Sequence, residues 1–160
     1  MNNIKRHAWC ARSDLYAEVT TFGIQEAIQR FESLGRSVKT IENSALKKGA
    51  EVVRDALEVE SPVSAHSKPP SPKEPWRTGK HAKDEVLVGK IKTRNGVKSI
   101  SVGWERDDNS PYFYMKFQNW GTSKMPHPPH KGFIEKTVTH TEVKAVHEMR
   151  NVFAAALHIV

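Results

Sequence analysis

Cysteine is nearly missing: Cys10 is the single one in 160 residues. No intrachain disulfide can form, and an oxidising compartment is not implied. No apolar run approaches the roughly 20 residues that span a bilayer. The opening stretch MNNIKRHAWCARSD has charge but no apolar core, so it does not make a signal peptide. A reducing cytoplasm, or release from it by lysis, is the expected setting. The sequence also lacks a Gly-rich phosphate loop, a G-x-S-x-G elbow and a C-x-x-C pair. Asp107 and Asp108 are adjacent in a turn-like stretch, and no third acidic ligand or defined strand lysine accompanies them as a carboxylate nuclease requires. Eight histidines are present, but their spacing does not build a metal site. His7 and Cys10 have no second ligand pair. His127 and His130 are separated by two prolines and have no adjacent carboxylate. His140 and His147 lie about 10 Å apart along a helix. No enzyme activity, cofactor or metal is expected.

A chain of this length is expected to be one domain and can bury a real core. Hydrophobic residues make up 38% and the mean hydropathy is −0.60, polar for a compact monomer. Loops, tails or surfaces that meet partners would account for that. The net charge is +7, which makes nucleic acid a candidate partner. The excess is local. Residues 1–60 balance nine Lys/Arg against nine Asp/Glu, whereas residues 61–100 hold nine against three. That middle segment reads either as a solvated loop or as a surface facing a polyanion.

Residues 1–17 show no period and are read as a flexible N-terminal arm. Residues 19–22, VTTF, read as a short strand closed by Gly23. Ala27, Ile28, Phe31 and Leu34 then fall on one helical face, and Gly35 stops that helix. A second, longer helix is expected over 38–60. Its stripe is Ile41, Ala45, Gly49, Val52, Val53 and Ala56, whose small members let another element approach closely. No proline precedes Pro62, and Ser61-Pro62 ends the helix. Residues 61–83 are a different material: Pro62, Pro69, Pro70, Pro72 and Pro75 prevent helix and ladder alike. This stretch is expected to be a mobile basic loop, in which the Trp76 indole docks on another surface.

From residue 84 the period becomes two. Asn95-Gly96 is a strong hairpin signal, so 85–93 and 98–104 are expected to pair with Ile100, Val102 and Trp104 on the buried face. Residues 112–118 are expected to be a further strand with aromatics on both faces. The chain then breaks at Trp120-Gly121-Thr122, runs through Pro126, Pro128 and Pro129, and enters a helix over 133–157. The expected fold is α+β. An antiparallel sheet of three to four strands packs against the long helix and the C-terminal helix within a single domain, 18–160.

With these elements placed, the chain resembles the small neck proteins of long-tailed double-stranded DNA phages, called tail-component, tail-completion or head–tail joining proteins. The resemblance runs over about 19–157. VTTFGIQEAIQRFESLG is similar to the family's first element and ALKKGAEVVRDAL to its long helix. Pro62 and Thr78-Gly79 stand for the Pro and Thr-Gly that usually follow. KSISVGW is similar to the family's Val-Gly strand end. YFYMKFQNWGTSKMPHPPHKGFIEKTV carries the most specific motif: an aromatic strand, a Gly-Thr break, Lys-Met-Pro and a Pro-led helix. Asn119 stands where Glu is usual, and Trp120 where Phe is usual. Pro129-His130 replaces Pro-Phe, so Phe133 is expected to supply the aromatic plug before the last helix.

The resemblance implies a structural virion protein, a ring subunit of the neck that joins head to tail or completes the tail. The implied partners are six or twelve copies of itself, the adjacent head-completion or adaptor protein, a tail-tube or tail-terminator protein, and double-stranded DNA passing through the lumen without sequence readout. No membrane is involved. The subunit is expected in the host cytoplasm before assembly and in the virion afterwards. Candidates for assembly contacts are Trp76, Tyr112, Tyr114, Trp120, Gly121, Thr122 and Met125. Candidates for meeting DNA are Lys68, Lys73, Arg77 and Lys80. The rival reading is a small basic DNA-binding protein acting as a monomer or dimer.

Overall fold

A computed structural model of the chain describes residues 16–20, 29, 38–63, 69–75, 77–104 and 111–157. Its centre is the strand β4, Val97–Gly103, where β-branched Val97, Ile100 and Val102 favour the extended backbone. On one side lies β1, Tyr16–Thr20, antiparallel, with Tyr16 opposite Gly103 and Thr20 opposite Ser99. On the other side lie β2, Leu87–Val88, and β3, Lys92–Arg94, both also antiparallel to β4. The first strand therefore begins at Tyr16, earlier than the expected Val19, and takes in the end of the segment read as an arm. The helix expected over 24–34 lies outside the described residues except Gln29, which is helical. Residues 105–110, expected as a turn and including Asp107 and Asp108, also lie outside them.

Asn95 and Gly96 both have positive φ, 50° and 77°, as a two-residue type I′ turn requires. Arg94 faces Val97 across it. The strand expected over 85–93 is broken in two. Residues 89–91 face only Ile100 and Ser101 on β4, so one residue bulges out. Gly89 keeps the ladder by donating its N–H to the Ser101 carbonyl at 2.8 Å. Side chains alternate as expected along β4: Ile100, Val102 and the following Trp104 are buried. The Trp104 indole N–H donates to the Ala82 carbonyl at 2.7 Å, which satisfies its polar end inside the core.

Helix α1, Val38–Glu60, covers this face. Its buried stripe is Ala45, Leu46, Gly49, Ala50, Val53 and Leu57, at the spacing of one helical face. The expected stripe was slightly rotated: Ile41, Val52 and Ala56 lie on its flanks, half-buried. Ser61 ends the helix, its amide donating to the Leu57 carbonyl at 3.0 Å and its hydroxyl bonding the same oxygen. The C-terminal helix, Phe133–Leu157, packs along α1 in the most extensive contact between elements. It buries Phe133, Ile134, Thr137, Thr141, Ala145 and Met149. Two threonines are tolerated there because each hydroxyl donates to the carbonyl one turn back, Thr137 to Phe133 at 2.9 Å and Thr141 to Thr137 at 2.7 Å.

The aromatic stretch 112–118 is not a strand. Residues 111–114 form a turn, followed by a short helix, α2, Met115–Trp120; the C-terminal helix is thus α3. Met115 N–H donates to the Tyr112 carbonyl at 3.0 Å and Gln118 N–H to that of Tyr114 at 3.2 Å. The reason lies in which positions are buried: Tyr112, Met115 and Asn119, three and then four apart, a helical rather than an alternating set. Phe113, Tyr114 and Phe117 are left on the outside. The conflict of a strand apolar on both faces disappears.

Candidate functional site

Where α2 meets the start of α3, the chain builds a junction around Asn119, which is 1% exposed. Its side-chain carbonyl accepts the Ile134 N–H at 3.0 Å. Its amide donates to Glu135 Oε1 at 3.2 Å. Its main-chain carbonyl accepts the Gly132 N–H at 3.0 Å. Ile134 is in the first turn of α3, where amides have no partner within the helix. Asn119 thus caps α3 from another element. A glutamate here, as the resemblance leads one to expect, could accept the amide but would set a second carboxylate against Glu135. An asparagine both accepts and donates.

The turn out of α2 is fixed by Gly121, at φ 83°. A Cβ there would lie 2.6 Å from the Met125 carbonyl oxygen, 3.0 Å from that of Pro126 and 3.1 Å from Pro128 Cδ. Thr122 and Met125 close the turn with reciprocal backbone bonds of 2.9 and 3.1 Å. The Thr122 hydroxyl also accepts the Met125 N–H at 3.0 Å. Phe133 then seats edge-on against Trp104 with ring centroids 6.1 Å apart, filling the place expected of the aromatic plug. Asn119 was not singled out as a functional residue; its partner Ile134 lies fifteen positions on, beyond any local spacing rule.

Outside this junction is an aromatic rim. Phe113 contacts Phe117 at 6.0 Å and Tyr114 at 6.2 Å, both edge-on. Phe113 is 38% exposed, Tyr114 36% and Met125 37%. Burial by its neighbours, and secondarily the Tyr112 phenol, raises the Tyr114 phenol above its ordinary range, while Arg77 acts in the opposite direction. Tyr112 itself is buried, and its hydroxyl shares a 2.6 Å hydrogen bond with Thr78 Oγ1. It ties the proline-rich segment to the core, so its ring serves the protomer's own packing. Trp120 is half-buried against the core. Trp120, Gly121, Thr122 and Met125 share one turn, and Tyr112 touches Tyr114 at 6.5 Å. Trp76 lies outside the described residues.

The basic groups divide in two. Arg77 makes a two-pronged pair with Glu74 at 2.6 and 2.8 Å, and Lys80 pairs with Glu85 at 2.7 Å. Each carboxylate, by hydrogen bonding first, raises its partner's pKa. Lys73 is exposed, and Lys68 lies outside the described residues. Lys98 reaches back to α1, to Glu42 at 2.6 Å and Asn43 at 3.0 Å. Lys90, Lys92 and Arg94, on the hairpin, are exposed and make no ion pair among the described residues. His127 and His130 are exposed in the tether. Among the described residues no group of His, Cys, Asp or Glu could hold a metal, and no helix is long and apolar enough to cross a membrane.

A family profile described as "Bacteriophage HK97-gp10, putative tail-component" matches residues 25–121. The chain belongs to this HK97-gp10-like family of phage tail components. The matched region takes in α1, the hairpin and α2, and closes at Gly121. No curated protein and no solved structure gives a significant match.

Proposed function

We propose that the chain is a non-enzymatic structural subunit of the phage neck, forming a ring that joins head to tail or completes the tail. Membership of a tail-component family carries this reading. The surface supports it. A closed ring needs two different, complementary patches on each subunit. The rim of Phe113, Tyr114, Phe117 and Met125 is one candidate. The sheet margin, where Leu87 on β2 is 49% exposed, is another, since an edge strand offers unpaired backbone groups to a neighbour. A ring of six or twelve copies would bury about 800 Å² per partner at each contact if it is of standard size. Above and below it would meet an adaptor or head-completion protein and a tail-tube or terminator protein, with DNA in the lumen. The subunit would be made in the host cytoplasm and end in the virion neck.

Native mass measurement of the purified protein, with imaging of particles by negative stain, tests the reading. A six- or twelve-fold ring, and the chain's presence at the neck of purified virions, is the expected result. A protein that stays monomeric with its adjacent neck components present, and that is absent from virions, would sink it. Metal-dependent DNA cleavage abolished by acidic substitutions would point instead to an enzyme.

A further inference from the structure

We propose that the β3–β4 hairpin, through Lys90, Lys92 and Arg94, is the surface on which this subunit meets the phosphate backbone of double-stranded DNA. The choice of DNA as the polyanion rests on the neck reading; the choice of residues rests on the fold. The sequence from Val86 to Trp104 contains no Asp or Glu. Within it the structure separates the cations by sheet face. Lys98 stands opposite Thr93, and its ammonium is taken up by Glu42 on α1 at 2.6 Å, only 15% of the side chain remaining exposed. On that face Lys98 is held against α1, although Thr93 beside it is exposed. Lys92 and Arg94 occupy the alternate positions, opposite Ser99 and Val97, so they lie on the face turned away from α1. They stand about 7 Å apart along the strand. The bulge at 89–91 adds Lys90, also exposed. The carboxylate nearest by register on this face is Glu18 on β1, opposite Ser101 and across β4 from the hairpin cations.

In the proline-rich loop, by contrast, two cations are already paired, Arg77 with Glu74 and Lys80 with Glu85 just beyond the loop, while Lys73 is exposed. Meeting DNA would require breaking those pairs. Among the described residues the hairpin cations have no ion pair to break, and the I′ turn fixes the tip. Exposed cations that contact phosphate fix position without reading sequence, which suits a duplex that slides past.

The test is anisotropy of a labelled random-sequence duplex, titrated with the full chain between 50 and 200 mM salt, beside native mass measurement of the same samples. Wild type is compared with a hairpin variant, Lys90→Gln/Lys92→Gln/Arg94→Gln, and a loop variant, Lys73→Gln/Arg77→Gln/Lys80→Gln. Neutralising three phosphate contacts should lower the slope of log affinity on log salt by about 2.7. Over this range the wild type should therefore lose about 40-fold more affinity than the hairpin variant. The loop variant should keep the wild-type slope. No salt-dependent binding by wild type, or the slope change appearing in the loop variant instead, overturns the proposal. Mass separates this from the neck reading: a ring that ignores DNA removes the hairpin assignment alone, and a monomer with a hairpin-dependent slope removes the ring alone.

Discussion

The junction at Asn119 and the outer surface of the hairpin and rim are opposites. At the junction the side-chain amide and the main-chain carbonyl of Asn119 are answered by the same chain, at Ile134, Glu135 and Gly132. On the outside, Lys92 and Arg94 end in solvent, and the rings of Phe113 and Tyr114 are only partly covered. A region that satisfies itself serves the fold. A region that leaves charge and aromatic area unanswered is available to a partner. Substitutions should therefore divide cleanly, the inner ones read in unfolding and the outer ones in assembly or binding.

The largest effect is expected from Gly121→Val. The new Cβ must displace two backbone carbonyls at 2.6 and 3.0 Å, in a β-branched residue held at positive φ. A loss of about 3 kcal/mol or more in denaturant unfolding is expected. A near-neutral value would mean that the turn re-forms easily and does not hold α3. Trp120→Ala comes next, at about 2–3 kcal/mol, because its partly buried ring packs against the core.

Asn119→Ala removes the remote cap and strands the Ile134 amide, at about 2 kcal/mol. Asn119→Asp sharpens the point through pH. The new carboxylate keeps the acceptor but faces Glu135, a like charge that raises the pKa of one or both. A carboxyl group with a raised folded-state pKa binds its proton more tightly in the folded than in the unfolded state. The variant should therefore approach wild-type stability near pH 4 and fall away from it as pH rises towards 7. A pH-independent difference would show that Glu135 does not feel this position.

Much of this was legible in the sequence, and the failures have physical causes. The helices at 38–60 and 133–157 are long, periodic and free of proline, and Asn-Gly can hardly be other than a tight hairpin turn. The segment 112–118 misled because seven residues are too few to separate the two periods: Phe113, Met115 and Phe117 alternate, while Tyr112, Met115 and Asn119 follow a helix. Register at the bulge depended on Gly89 meeting Ser101, which only pairing reveals. The middle segment's charge was visible, and so was its sign. Which cations are paired among the described residues was not, because Lys98 is claimed by Glu42 and Asn43, the latter 55 residues away.

On the outside the division reverses. Phe113→Ser with Tyr114→Ser should change unfolding by no more than about 1 kcal/mol, since both rings are more than a third exposed. Ring formation should nevertheless be lost if the rim is the subunit contact. An intact ring in this variant would move the contact to the sheet margin, where Leu87→Ser would be the next variant. Loss of stability together with assembly would place the rim inside the fold and break the comparison.

The smallest effect is expected from His127→Ala with His130→Ala. Both side chains are exposed in the tether. The bonds that shape the tether are made by backbone and by Lys131, whose ammonium donates to the Pro126 carbonyl at 3.3 Å. The His130 main-chain carbonyl accepts the Phe133 N–H at 3.2 Å, and alanine keeps that bond. The double variant should unfold within about 0.5 kcal/mol of wild type and assemble normally. Prolines 126, 128 and 129, together with Gly121, hold the path of the chain, so imidazole has no structural part in it. If assembly failed in this variant alone while Trp120→Ala and Gly121→Val still assembled, the tether would belong with the outer surface, and the histidines would be the contact.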